Sequence, residues 1–274
     1  MIGLLVGLVL YLTSPTLATT TKFGKRVYEW RGQKYHSVTS ILNAIGKPAL
    51  VGWAKKFTAE YAVNNLEKLN VLLEPDTHGE VDREGAVSWL KDASFRSRDR
   101  AADIGNEVHG AIEAYVLGKP MPKWSPIVKP MMEQFESFLA DYEPEYEQGM
   151  AEASVFNIKQ RYAGTLDAIA IVGGRRYIID LKTGKGVYPE VALQLAAYRH
   201  AEFIAGADGS EVPMPEIERA ACLHIPQSGG YQFVEVRADD EIFQAFLYVR
   251  EVFRWMEVTS KTVLQGDVQR EEKE

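Results

Sequence analysis

Two aspartates and a lysine stand at a spacing that phosphate chemistry can use. Gly173-Gly174 is a two-residue loop signal, and a hairpin closed there sets Asp167 opposite Asp180. Facing Cβ atoms are then roughly 5 Å apart, where like charges repel. A bound cation would relieve that repulsion. Lys182, two residues beyond Asp180, points to the same sheet face, and Gly164 and Gly184 are expected to leave room for a substrate backbone at the open end. The plainer alternative is a solvent-facing strand pair in which Lys182 merely neutralises the two acids. Against it, Ile169, Ile171 and Ile178 fall on the same face, so the acids lie at the margin of an apolar surface, and buried carboxylates need partners. Hard oxygen ligands suit Mg²⁺ or Mn²⁺ better than Zn²⁺.

Two helical segments add polar groups. Gln194 and Tyr198 are four residues apart and share a helix face, which can cover the hairpin that precedes it closely in the chain. His109 follows Gly105 by about one turn and shares a helix side with Ile112, Glu113 and Val116. A lone histidine at such spacing is more often structural than a ligand. A mid-helix glycine costs about 1 kcal/mol and marks a close approach, which favours a ligand somewhat.

The elements that must hold these residues follow from periodicity. "VYEWRGQKYHS" reads as a small hairpin around Arg31-Gly32. Helical spacing then runs through "SVTSILNAIG" with Ser37 as cap, "PALVGWAKKFTAEYAVNNLEKL" from Pro48, "DREGAVSWLKDAS", Phe95 to Leu117, and "SPIVKPMMEQFESFLADY". After Glu143-Pro144 the period shortens to about two in "AEASVFNI", "YAGTLDAIAIV" and "RRYIIDLK". A helix from Pro189 to about Ala205, strands "ERAACLHI" and "YQFVEVR", and a helix after Asp239-Asp240 complete the pattern. That last helix is expected to turn Ile242, Phe243, Phe246, Leu247, Val249, Val252, Phe253 and Met256 inward. The fold class is α/β of the α+β kind, a central mixed sheet flanked by helices with a helical amino-terminal half.

The chain has 274 residues, 46% of them hydrophobic and 25% charged, which excludes a disordered or polytopic membrane protein. A net charge of −7 excludes nucleic-acid binding through a generally basic surface, so any such contact is local. Arg96, Arg98, Arg100, Arg175, Arg176 and Lys185 could guide a phosphate backbone despite the acidic total, the plainer alternative for many of them being solvated surface. Cys222 is the only cysteine, which excludes an internal disulfide, a four-cysteine zinc site and an iron–sulfur cluster, and fits a reducing compartment. The apolar run Ile2 to Leu12 is shorter than the roughly 20 residues that span a membrane. It fits a signal-peptide core cleaved near Ala18, a buried element of the domain, or an extension from an early start codon. Residues 1–21 are therefore set apart from a single domain over 22–264 and a disordered tail over 265–274.

In order and spacing, "GNEVH" (Gly105 to His109), "GTLD" (Gly164 to Asp167), "DLKTG" (Asp180 to Gly184) and "QLAAY" (Gln194 to Tyr198) resemble the PD-(D/E)XK nuclease superfamily, and more closely its RecB-like branch of phage and bacterial exonucleases. The resemblance covers roughly residues 100 to 200. It implies a restriction-endonuclease-like core and a Mg²⁺- or Mn²⁺-dependent DNA exonuclease acting in DNA recombination, repair or processing. His109, Asp167 and Asp180 would be its metal ligands, Lys182 its catalytic lysine, and Gln194 and Tyr198 the residues that position the scissile strand. Glu152 matches an acid often found on the preceding strand. The implied partners are DNA and a single-strand annealing or recombination protein, in the cytoplasm, with no stable membrane partner and no iron–sulfur cluster. Two other classes compete: a non-catalytic nucleic-acid-binding module on a nuclease fold, and a secreted metal-dependent hydrolase.

Overall fold

A computed structural model describes residues 18–20, 26–206 and 208–264. The apolar run Ile2 to Leu12 and the tail over 265–274 lie outside the described residues. Strand β1 (Ala18–Thr20) pairs with β2 (Arg26–Trp30), which forms a hairpin with β3 (Gln33–Ser37). Arg31 and Gly32 both have positive φ, 49° and 74°, which suits the turn between twisted strands. Ser37 ends β3 and caps α1 (Val38–Leu42), its hydroxyl accepting from the Ser40 amide at 3.0 Å.

The chain then leaves this unit. Residues Gly46–His109 form one compact unit, and the segments up to Ile45 and from Gly110 onward form the other, so the span read as one domain over 22–264 contains both. In the smaller unit, α2 (Pro48–Asn64) begins on a proline suited to a first turn. The single helix expected there breaks at Asn65, whose side chain donates to the Tyr61 carbonyl at 2.8 Å, before α3 (Leu66–Leu72). Trp53, Phe57 and Tyr61 stack along α2, and Tyr61 meets Trp89 of α4 (Arg83–Val116). Helix α4 is continuous over 34 residues where two helices were expected, because neither glycine nor proline falls between Gly85 and Gly105 to stop it.

The larger unit holds α5 (Lys129–Tyr142), β4 (Glu145–Asn157), β5 (Tyr162–Val172), β6 (Arg175–Lys182), α6 (Glu190–Arg199), β7 (Phe203–Ala205), β8 (Glu211–Pro213), β9 (Arg219–His224), β10 (Gln232–Glu235) and α7 (Asp240–Glu257). Its mixed sheet of ten strands has the order β1-β2-β3-β5-β4-β7-β8, and a second arm runs from β5 through β6 and β9 to β10. The fold is thus the expected α+β arrangement of a central sheet with flanking helices. Pairings β3–β5 and β6–β9 are parallel. Helix α6 stops at Arg199 rather than near Ala205, because Phe203 and Ile204 pair with Phe156 and Val155 of β4. Sheet pairing there overrides the helical reading.

Strand β5 makes the fork on which the site depends. One edge pairs with β4 along most of its length. The other takes β3 at Tyr162 and Ala163, then β6 from Ala168 to Val172. Residues 164–167 lie between the two partners. Gly173 and Gly174, with φ of 55° and 75°, form the expected two-residue turn, and the register Ala168↔Ile179 to Val172↔Arg175 is the one their position dictates. Paired residues stop one step short of Asp167 and Asp180.

The core beneath the fork contains Val38, Ile41, Leu166, Ile169, Ile178, Leu195 and Phe246, all buried. Asp239 caps α7 by accepting from the Ile242 amide at 3.2 Å. Phe246 and Phe253 are its buried residues, and Ile242, Phe243, Leu247 and Val249 pack at the margin. Val252 and Met256, expected inward, are each 50% exposed. Successive helix residues differ by about 100°, so Val252 is turned well away from the line through Phe246 and Phe253.

Candidate metal centre

Asp167 lies at the crotch of the fork. Its Oδ2 accepts from the Leu181 amide at 2.6 Å, reaching across to β6 just where strand pairing ends. Burial raises its pKa, while the Lys182 ammonium and the Leu181 amide pull it back down. Asp180 is almost fully buried, at 2% exposure. Gln194 Nε2 donates to its Oδ1 at 2.7 Å, and Lys182 Nζ lies 2.5 Å from its Oδ2. Burial would discharge Lys182, but Asp180 and Asp167 outweigh burial and raise its pKa above the usual lysine value. Lys182 is therefore a charged group at neutral pH.

Glu152 owes its placement to a distortion of β4. The β4–β5 register shifts between Tyr146 and Ala151, Gly149 has φ of +74°, and Glu152 itself has φ of +49°. A left-handed conformation is uncommon for glutamate and costs on the order of 1 kcal/mol or more. Glu152 sits between the pairs Ala151↔Ala168 and Ala153↔Leu166, and so beside Asp167. Its pKa is pushed up to about 8 by burial first, then by Asp167 and Glu113, against the opposing pull of Arg26 and Lys119. One nitrogen of His109, the residue at which α4 passes into the larger unit, and one carboxylate oxygen each of Glu152 and Asp167 all lie within 4.8 Å of one another.

Helix α6 lays its polar face on this constellation. Tyr198 is buried and hydrogen-bonds Gln194. Burial, with Tyr28, Asp167 and Asp180 nearby, holds its hydroxyl well above the usual phenol pKa, so it stays protonated. Gly164, expected to admit a substrate backbone, instead admits this tyrosine: a Cβ there would come 2.4 Å from Tyr198 Cε1. Gly184 does face open space.

The structure thus brings Asp167, Asp180, Lys182, Gln194 and Tyr198 together. It also gathers His109 with Asp167 and with Glu152, the acid expected on the preceding strand. Asp180 is engaged by Lys182 and Gln194. Arg176, one of the basic residues considered for guiding a phosphate backbone, grips Glu147 through two bonds of 2.7 and 3.0 Å. Sequence reasoning also passed over His224. It is buried beside Lys182 in the parallel β6–β9 pairing, and its Nε2 lies 2.8 Å from the Gly184 carbonyl oxygen. No local motif marks it, because parallel partners are distant in sequence.

One imidazole and two carboxylates form a donor set that suits a hard divalent cation. The Cys222 thiol, beside Asp180 on β9, is pushed up to about 12 by burial and by that aspartate. Among the described residues, no helix is long and apolar enough to cross a membrane. No protein-family model and no curated protein is detectably similar to the chain.

Proposed function

We propose that this protein is a Mg²⁺- or Mn²⁺-dependent deoxyribonuclease that hydrolyses phosphodiester bonds of linear DNA in a reducing cytoplasm, a reading that rests in part on its resemblance to PD-(D/E)XK nucleases. The observation that carries it is the convergence of His109, Glu152 and Asp167 beside a buried Asp180 and a charged Lys182. A divalent cation held by His109, Glu152 and Asp167 would supply Lewis-acid polarisation of a phosphoryl oxygen and lower the pKa of water.

The chain's own residues divide the remaining work. The Lys182 ammonium, held beside Asp180, stabilises negative charge gathering on the phosphoryl oxygens. Asp180 holds that ammonium in place, and Gln194 orients Asp180 through its other oxygen. The protonated Tyr198 hydroxyl is a donor at the same face. Glu152 must lose a proton to become a ligand, which couples its use to pH.

The test is a time course on end-labelled linear DNA beside a closed circle, in Mg²⁺, in Mn²⁺ and with excess EDTA. Loss of the linear substrate, survival of the circle and complete inhibition by EDTA are expected. Full activity in chelator would overturn the metal assignment, and rapid opening of circles would replace an exonuclease with an endonuclease.

A further inference from the structure

Helix α4 ends in a closed geometry. Gly118 has φ of +62°, its amide donates to the Tyr115 carbonyl at 3.1 Å, and the Lys119 amide donates to the Ala114 carbonyl at 2.8 Å. This paired bonding fixes a helix terminus, and Pro120 follows it. The backbone of Lys119 is therefore held in one place. Its Nζ lies 2.9 Å from Oε1 of Glu113, which stands one turn beyond His109, and both side chains are about one-third exposed, at 35% and 34%. Glu113 and Lys119 both act on Glu152, with opposite signs. A positioned lysine thus stands at the rim of the candidate metal centre, paired to an acid through a partly exposed contact of the kind that contributes little.

We propose that Lys119 binds a backbone phosphate of the DNA strand adjacent to the scissile one, an assignment that rests on the nuclease reading above. A cation held by His109, Glu152 and Asp167 would offset the acidic charge there, and Lys119 exchanges Glu113 for an incoming phosphate. Lysine suits that role as a compact charge on a flexible stem. The site consequently favours a polynucleotide over a small phosphate diester.

The assignment is tested by anisotropy of a short labelled single-stranded oligonucleotide, with Ca²⁺ replacing Mg²⁺, across a series of salt concentrations. Each phosphate neutralised on a single strand contributes about 0.7 to the slope of log affinity against log salt. Lys119→Gln is expected to lower that slope by about 0.7 and weaken binding about tenfold at low salt, while Lys119→Arg keeps the wild-type slope. An unchanged slope in Lys119→Gln overturns the proposal, and so does a wild-type protein that fails to bind the strand. Cleavage of the same strand in Mg²⁺ and Mn²⁺ is followed in parallel. A protein that binds with a Lys119-dependent slope yet never cleaves sinks the nuclease reading and leaves the Lys119 assignment standing.

Discussion

In the proposed mechanism Asp180 and Lys182 share a strand face but not a role, and mutating each separately tells the roles apart. Lys182→Ala removes a cation that repels an incoming metal. Metal binding is expected to persist or tighten, while cleavage falls about 10²-fold or more, the scale of losing a positioned charge-stabilising group. Asp180→Asn leaves the partly exposed ammonium without its nearest counter-charge and should weaken cleavage through Lys182, with a smaller effect on cation affinity than Glu152→Gln or Asp167→Asn. Calorimetry with Mn²⁺, cleavage of labelled DNA and circular dichroism read the three quantities. Normal cleavage by Lys182→Ala would return the pair to a plain strand contact. Glu152 adds a pH signature. Its folded pKa is raised to about 8 from the ordinary 4.5, so the folded state holds more protons than the unfolded chain between those values. Its contribution to stability is full below the unfolded pKa and is lost as pH rises through the folded one. In EDTA, stability should fall across that window by up to about 1.4 kcal/mol per pH unit, and Glu152→Gln should flatten the slope in urea titrations at several pH values.

At the level of elements, the contact between Gly164 and Tyr198 joins the fork in β5 to helix α6. Gly164→Ala drives a methyl group against the ring from 2.4 Å, and overpacking of this kind costs about 1–3 kcal/mol. A urea titration should show that loss, with reduced cleavage because Gln194 and Tyr198 shift together. Wild-type stability in Gly164→Ala would mean that α6 can slide away freely. The hairpin register was legible because two glycines permit only a short left-handed turn, and Ser37 and Asp239 were legible as caps because a hydroxyl or carboxylate at that position satisfies an open helix amide. Asp167, Asp180, Lys182, Gln194 and Tyr198 were legible together because a hairpin followed closely by a helix is a local arrangement. The fork was not. It depends on β3 joining β5 across more than a hundred residues and on parallel β9 beside β6, and neither pairing leaves a local trace. The approach of Glu152 to His109 and Asp167 had the same origin, since the shifted register around Gly149 follows from pairing with β5.

For the whole molecule, a metal bound only to the folded state must appear as stability. The proposed ligands come from α4, β4 and β5, segments far apart in sequence that unfolding separates, so the unfolded chain offers no comparable site. At a free Mn²⁺ concentration a hundredfold above Kd the gain is about 2.7 kcal/mol. Because one kilocalorie shifts Tm by about 2–4 °C in proteins approaching this size, the transition should rise by about 5–10 °C and return to its starting point on adding EDTA. The gain must also depend on pH. Glu152 is mostly protonated well below pH 8, so at pH 6 the cation has to displace a proton that it does not meet at higher pH, and apparent affinity should drop by about two orders of magnitude. At one fixed Mn²⁺ concentration, the Tm increment should therefore be large at pH 8 and small at pH 6, the reverse of the trend in EDTA alone. Glu152→Gln should lose most of the increment at both values. Differential scanning calorimetry at the two pH values, with and without Mn²⁺, measures all of these shifts. An increment of equal size at pH 6 and pH 8 would remove Glu152 from the ligand set and return the place to Asp180.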